Sequence, residues 1–313
     1  MKKAFVAHLT AVTIALGCTT MAAAEQKTPT AEKQKSSITE KKKTEATAEV
    51  AAALKQLLAE VQALLTKENV HSMYDRPRLL KETGVTYQPD LVVASDLTPR
   101  LSSCNLRIYA GIKMYDAVYA AVFNKKQEVA RSLQAIDAAM IKLDLRSHAD
   151  FSGHIRDTVR KVASETGEVD IRQMLNQLTA DTIQELPVFM SSSESAHFLM
   201  DCLYGFALEA CSVMGYFHQT DPNDRLMKLR TQQPAFLGWL NAVDNVFGAF
   251  QKSNQDLRVE CKRSHSPEFI KTVMKLSEAE RSGKITTKEA RQQLAGLREQ
   301  LTQLRASILA DGK

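Results

Sequence analysis

Apolar residues recur at the spacing of an α-helix along most of the chain, and no segment shows the alternation typical of a β-sheet. The clearest pattern is a coiled-coil-like seam with a strict four-three spacing near the C-terminus: Ala290, Leu294, Leu297, Leu301, Leu304 and Ile308. A second narrow seam lies near the N-terminal end of the helical region: Val50, Leu54, Leu57, Val61 and Leu64. The two seams can pack against each other, or either can pair with another chain.

These patterns predict an all-α fold, with a multi-helix bundle over residues 49–262 and a C-terminal antiparallel helical hairpin over residues 266–313. Bundle helices are predicted over residues 47–67, 78–82, 101–124, 127–143, 148–165, 171–189, 191–218, 223–231, 235–252 and 255–262. In the hairpin, Pro267 opens one helix, and Thr286 with Glu289 forms a capping box for the last. Between the helices, only Val92 and Val93 have an extended pattern.

Residues 1–24 have the pattern of a signal peptide, because two lysines precede an apolar run too short to span a bilayer. Two cleavage sites are compatible with this pattern. Three alanines favour cleavage before Glu25, whereas Ala-Leu-Gly-Cys at 15–18 resembles the lipobox of bacterial lipoproteins, in which Cys18 becomes the lipidated N-terminus. The sequence therefore predicts an exported protein that is periplasmic or anchored to a membrane by lipid. Residues 25–48 are too polar to bury a core and are predicted to form a disordered tether.

Composition narrows the class of partner. The formal net charge is +5, and both signs are interspersed along the chain without a basic stripe, so we predict no nucleic-acid partner. The most apolar later stretch, residues 198–217, contains Asp201 and Glu209. Each acid would cost about 2.5–3.5 kcal/mol near a bilayer centre, so a buried core helix explains this stretch better than a membrane span.

Four cysteines follow the signal sequence, namely Cys104, Cys202, Cys211 and Cys261. An oxidising compartment permits disulfides, and buried free thiols are the alternative. A Cys202–Cys211 bond is disfavoured because nine positions along one predicted helix place the two thiols beyond disulfide reach. No spacing typical of zinc or haem attachment occurs, and we predict neither a metal site nor a cofactor.

Two acids interrupt largely apolar helices and are the most informative polar residues. Asp116 shares a helix side with Tyr109 and Tyr119, and Glu209 lies in the 191–218 helix. Both helices carry small residues that allow close packing, so the acids can be buried in one core, where each needs an internal partner. Lys113, Arg107 or the tyrosine hydroxyls could supply it. These four residues form either a ligand-binding pocket or a structural network, and acids locked to lysine or arginine would favour the latter.

One further motif is compatible with metal binding. Glu194 and His197 match half of the paired Glu-x-x-His units of di-iron bundles, but no second unit occurs. Because Ser191 and Glu194 stand at a helix start with capping-box spacing, we predict a helix cap here. The chain contains no sequence motif of a known catalytic site, and we assign no catalytic residue.

Residues 105–218 resemble some uncharacterised exported bacterial lipoproteins. The similarity lies in a helix with an Asn-x-x-x-Tyr start at Asn105, recurring tyrosines at Tyr115 and Tyr119, and Leu208-Glu209-Ala210 in a later apolar helix. This chain has Arg107 where those proteins favour glycine, and Leu208 is not small. The resemblance implies a helical bundle whose function is unassigned.

Together these features favour a non-enzymatic binding module in the periplasm, tethered by lipid if Cys18 is modified. Its partner would be a protein bound through the helical seams, or a small ligand. The alternative is an enzyme or metal-binding protein that uses Asp116, Glu209 and the neighbouring tyrosines inside the bundle. Oligomeric state and the identity of the partner are not encoded in these patterns.

Overall fold

Helices make up most of the chain that is described in the computed structural model, which covers residues 51–52, 54–64, 78, 81–145, 150–164, 171–220, 238, 240–249 and 268–310. The predicted signal peptide (1–24), the tether (25–48) and the predicted helices at 223–231 and 255–262 lie outside these residues, as does Cys18. No β-strand occurs in the described ranges, which confirms the all-α prediction.

The helices follow one another with short connections. They are α1 (within 51–64), α2 (Ser103–Val122), α3 (Lys126–Lys142), α4 (Phe151–Ser164), α5 (Ile171–Phe189), α6 (Ser193–Thr220), α7 (240–249), α8 (Glu268–Arg281) and α9 (Thr287–Leu309). Pro187 lies in the last turn of α5, where a missing N–H ends a helix as predicted. Two short 3-10 helices, Pro89–Leu91 and Thr98–Arg100, interrupt the irregular segment before α2.

Helices α2 and α6 form the most extensive contact in the bundle, and glycines make it close. A Cβ on Gly111 would overlap with the carbonyl oxygen of Cys202, and a Cβ on Gly205 would overlap with the carbonyl oxygen of Ile108. The Cys202 thiol also donates to the Arg107 carbonyl at 3.4 Å. The small residues noted in the sequence therefore let the two backbones touch, which confirms that these helices pack together in the core.

The C-terminal hairpin shares its core with the rest of the bundle. Thr286 and Glu289 form the predicted capping box at the start of α9, and Gly283 turns the chain with a φ of +70°. Helix α9 packs on both α8 and α6, and the Arg298 side chain passes beside Gly215 of α6. The interior face of α9 thereby becomes part of the single hydrophobic core.

Both predicted seams lie in this core. The buried members are Leu54, Leu57, Val61 and Leu64 in α1, and Ala290, Leu297, Leu301 and Ile308 in α9. Leu294 and Leu304 are partly buried against the same core. A second chain could reach these faces only if the bundle opened.

Among the described residues, one stretch, Ser193–Phe217, is long and apolar enough to cross a membrane by length and composition. Within its most apolar window, 78% is buried inside the protein. A core helix passes the same test, and the burial agrees with the core-helix interpretation of this region.

Replacing Gly111 or Gly205 with alanine is expected to destabilise the chain by about 1–3 kcal/mol or more, because each new methyl group must push α2 and α6 apart. The measurement is the free energy of unfolding in urea. Gly296→Ala in α9 is the matched control, since its Cβ would meet nothing within 4 Å and should stabilise the helix by about 0.5–1 kcal/mol. Equal effects at all three positions would contradict the close crossing.

Candidate functional site

One side of α2 carries four polar residues that are buried at helical spacing. Tyr109, Lys113, Asp116 and Tyr119 follow one another at intervals of four, three and three, and none is more than 2% exposed. The side on which the sequence placed Asp116, Tyr109 and Tyr119 is therefore a single buried surface. It faces the irregular segment of residues 88–101, which we call the strap.

Asp116 and Lys113 bind the main chain of one strap residue. Val93 N–H donates to Asp116 Oδ2 at 3.1 Å, and Lys113 Nζ donates to the Val93 carbonyl at 2.7 Å. The two side chains also pair with each other, with 2.8 Å between Nζ and Oδ2. The predicted extended residues thus pair with side chains of a helix instead of with another strand.

The tyrosine hydroxyls are engaged on the same segment. Tyr119 accepts a hydrogen bond from Gln88 N–H at 2.9 Å, and Tyr109 donates to the Ala94 carbonyl at 2.8 Å. Burial raises the pKa of Tyr119 to about 12 and raises the pKa of Tyr109 as well. Both hydroxyls are therefore neutral at physiological pH and serve as hydrogen-bonding groups.

Glu209 meets a base from the other end of the chain. Its Oε2 lies 3.0 Å from Arg305 Nε in α9, and the Glu209 side chain is fully buried. The Nε–H is not aligned for a hydrogen bond, and neither Glu209 oxygen has a hydrogen-bond partner among the described residues, so the contact is one of charge. Arg305 also donates from Nη2 to the Leu91 carbonyl at 2.6 Å, which ties α9 to the strap.

Burial controls the ionisation of both acids. It raises the pKa of Glu209 to about 8, with Asp116 adding to the rise and Arg305 and Lys113 opposing it. Burial also raises the pKa of Asp116, against the opposing effects of the Lys113 ammonium and the Val93 N–H. We call Lys113, Asp116, Glu209 and Arg305 the charge cluster; it contains two acids and two bases.

The structure brings all four predicted site residues to one region, but each is locked to a partner. Of the partners considered from sequence, Lys113 pairs with Asp116, whereas Arg107 lies 3.7 Å from Asp201. Sequence reasoning missed Arg305 and the strap main chain. A signal for Arg305 existed, since it lies one helical turn from the buried seam residues Leu301 and Ile308.

The predicted cap of α6 is wrong by one residue. Ser192, not Ser191, caps the helix, and its Oγ accepts the N–H of Ser195 at 3.1 Å. The His197 ring approaches the Ser193 carbonyl at 2.7 Å through Nδ1. Within the described residues, no group of three or more His, Cys, Asp or Glu side chains could hold a metal ion.

The cysteines divide into two kinds. Cys202 and Cys211 are buried free thiols, in agreement with the prediction that they do not pair. Burial raises the pKa of the Cys202 thiol well above its ordinary value, which keeps it protonated and inert. Cys104 is disulfide-bonded, and its partner is neither of these two cysteines.

No protein-family model, curated protein or solved structure matches the chain. The functional argument therefore rests on the geometry of the strap and the charge cluster.

Glu209→Gln is expected to remove one source of pH dependence from stability. The folded pKa of about 8 exceeds the ordinary value of 4.5, so the folded chain holds this proton across a range in which the unfolded chain has lost it. Stability from this group thus falls as pH rises between those values, by at most about 1.4 kcal/mol per pH unit. Because glutamine has no such proton, the stability of the variant relative to the native chain should rise from pH 5 to pH 8 in urea unfolding.

The control for this series is Glu289→Gln at the exposed start of α9. Capping hydrogen bonds from Thr286 lower the pKa of Glu289 below its ordinary 4.5, so its carboxyl is ionised in both folded and unfolded chains above about pH 5. Its stability difference should stay constant over the same range. A constant difference for Glu209→Gln would show that Glu209 ionises normally in the bundle.

Proposed function

We propose that this chain is an exported, non-enzymatic helical-bundle binding module. The observation that carries the proposal is that the buried acids are committed to internal partners, Asp116 to Lys113 and Glu209 to Arg305. Both nearby tyrosine hydroxyls are committed to strap main chain. An enzyme or metal site would need some of these groups to face a ligand, so the binding interpretation is the better supported of the two.

The proposed location is the periplasm, with a lipid anchor on Cys18. The support is the pattern of residues 1–24, in which an apolar run ends at an Ala-Leu-Gly-Cys sequence, followed by the polar residues 25–48. A polar tether of that length would let an anchored bundle reach partners away from the membrane surface.

Cys18→Ala is expected to abolish fatty-acid labelling and to move the protein from the membrane fraction to the soluble periplasmic fraction. The measurement is incorporation of a labelled fatty acid in cells, together with fractionation and mass determination of the mature N-terminus. Cys211→Ala is the matched control, since this buried thiol should leave labelling unchanged. An unlabelled native chain that begins at Glu25 would refute the lipid anchor and leave the export proposal standing.

The described surface offers few large apolar contacts to a partner. Met114, Ile141 and Val188 are exposed, with Val188 the most exposed at 57%. Single exposed apolar residues are common on protein surfaces. These three are nonetheless the described positions at which a partner would gain the most by covering apolar area.

A photo-crosslinking residue at Ile141 or Val188 is expected to give a discrete protein adduct in the cell envelope, because a bound partner would exclude water from these side chains. Gln134, an exposed polar position on the same helix as Ile141, is the control and should give a weaker adduct. Adducts are measured by gel shift after irradiation of intact cells. Uniform background at all three positions would argue against a protein partner on these faces.

A further inference from the structure

The strap is attached to the bundle mainly through its main chain. Five side chains reach its backbone from α2, α3 and α9, and the strap groups that they bind are Gln88 N–H, Val93 N–H and the carbonyls of Leu91, Val93, Ala94, Thr98, Pro99 and Leu101. Lys142 alone binds the last three, at 3.0, 3.2 and 2.9 Å. Tyr109, Lys113, Asp116, Tyr119 and Arg305 bind the rest, and together they define what we call the groove.

Main-chain recognition depends little on the sequence of what is bound. Every polypeptide segment offers N–H donors and carbonyl acceptors, so these bonds select a backbone shape and leave most side chains unread. Within the strap, only Val93, Thr98 and Leu101 are buried, and the remaining residues are half-buried or exposed. The groove therefore reads one short backbone form: an extended residue, a 3-10 turn at Pro89–Leu91 and a second extended stretch.

The groups beneath the strap also limit the cost of emptying the groove. Lys113 and Asp116 are charged groups whose hydrogen bonds to Val93 would be replaced by water if the strap left. An apolar groove would gain no such compensation. A segment without regular structure, few buried side chains and hydratable anchors belongs to the least stable part of a fold.

We propose that the strap is the chain's own occupant of a groove that recognises polypeptide main chain, and that a strap-like segment of another polypeptide can replace it. The proposal rests on the proposed binding function and deepens it by naming the groove as the surface and a polypeptide segment as the partner. The segment must supply an N–H and a carbonyl on one extended residue, as Val93 does. Its side chains are constrained chiefly at the position of Val93.

The test uses the full chain with Val93→Pro, which removes the N–H bound by Asp116 and weakens the strap without altering the groove. The probe is a fluorescein-labelled peptide with the sequence of residues 86–101, and binding is measured by anisotropy with purified protein. We expect saturable binding to the variant, and binding at least about tenfold weaker to the native chain, whose strap competes for the groove.

The matched control is the same peptide with an N-methyl group on the residue equivalent to Val93. It differs by one hydrogen-bond donor and should bind the variant at least about tenfold more weakly, because the Asp116 carboxylate would lose a buried partner. If Val93→Pro loses its helical circular dichroism, Gln88→Pro carries the test, since it removes the donor to Tyr119 from a half-buried position.

Two results would overturn the proposal: a folded variant that does not bind the peptide, or equal binding of the native and N-methylated peptides. Both are read with purified components. They are therefore independent of the crosslinking result in cells, and failure of one proposal can be told from failure of the other.

Discussion

The removal of four ionisable groups from water is the constraint on which the arrangement of this bundle depends. Lys113, Asp116 and Glu209 are fully buried, and Arg305 is nearly so. Leaving one member of such a pair unpartnered costs about 3–5 kcal/mol, a large part of the stability of a typical domain. The charge cluster therefore requires α2, α6, α9 and the strap to occupy their positions together, because each supplies a group that another cannot do without.

The glycine crossing makes this cluster possible. Gly205 and Glu209 lie one turn apart on α6, while Gly111 and Lys113 lie within one turn on α2. Where the two backbones touch, Glu209 comes close enough to feel the charges of both Lys113 and Asp116. A wider crossing would leave room for water around the acid, and its pKa would move back towards the ordinary value. Packing and electrostatics are thus set by the same pair of small residues.

Sequence patterns predicted the helices well because each one buries a stripe at its own local period, as the predicted and observed bounds of α5 show. Asp116 and Glu209 stood out because they interrupt apolar stripes. Their full set of partners was harder to predict. Leu91 and Arg305 are 214 positions apart, and a main-chain carbonyl has no sequence signature. The cap of α6 was misplaced because three consecutive serines offer the same chemistry, and only the geometry of the chain after α5 decides which one is used.

A network of this kind favours recognition over chemistry. Catalysis by an acid or a hydroxyl requires a group that can exchange its partner for a substrate, whereas Asp116 holds both Lys113 and Val93, and the tyrosines hold the strap from either side. Such multiple commitments instead fix the path of one particular segment, since a strap shifted by one residue would leave buried charges without partners. The same bonds would discriminate any incoming segment by its backbone shape. The polar interior of this bundle is therefore best understood as a device for choosing which polypeptide lies across α2.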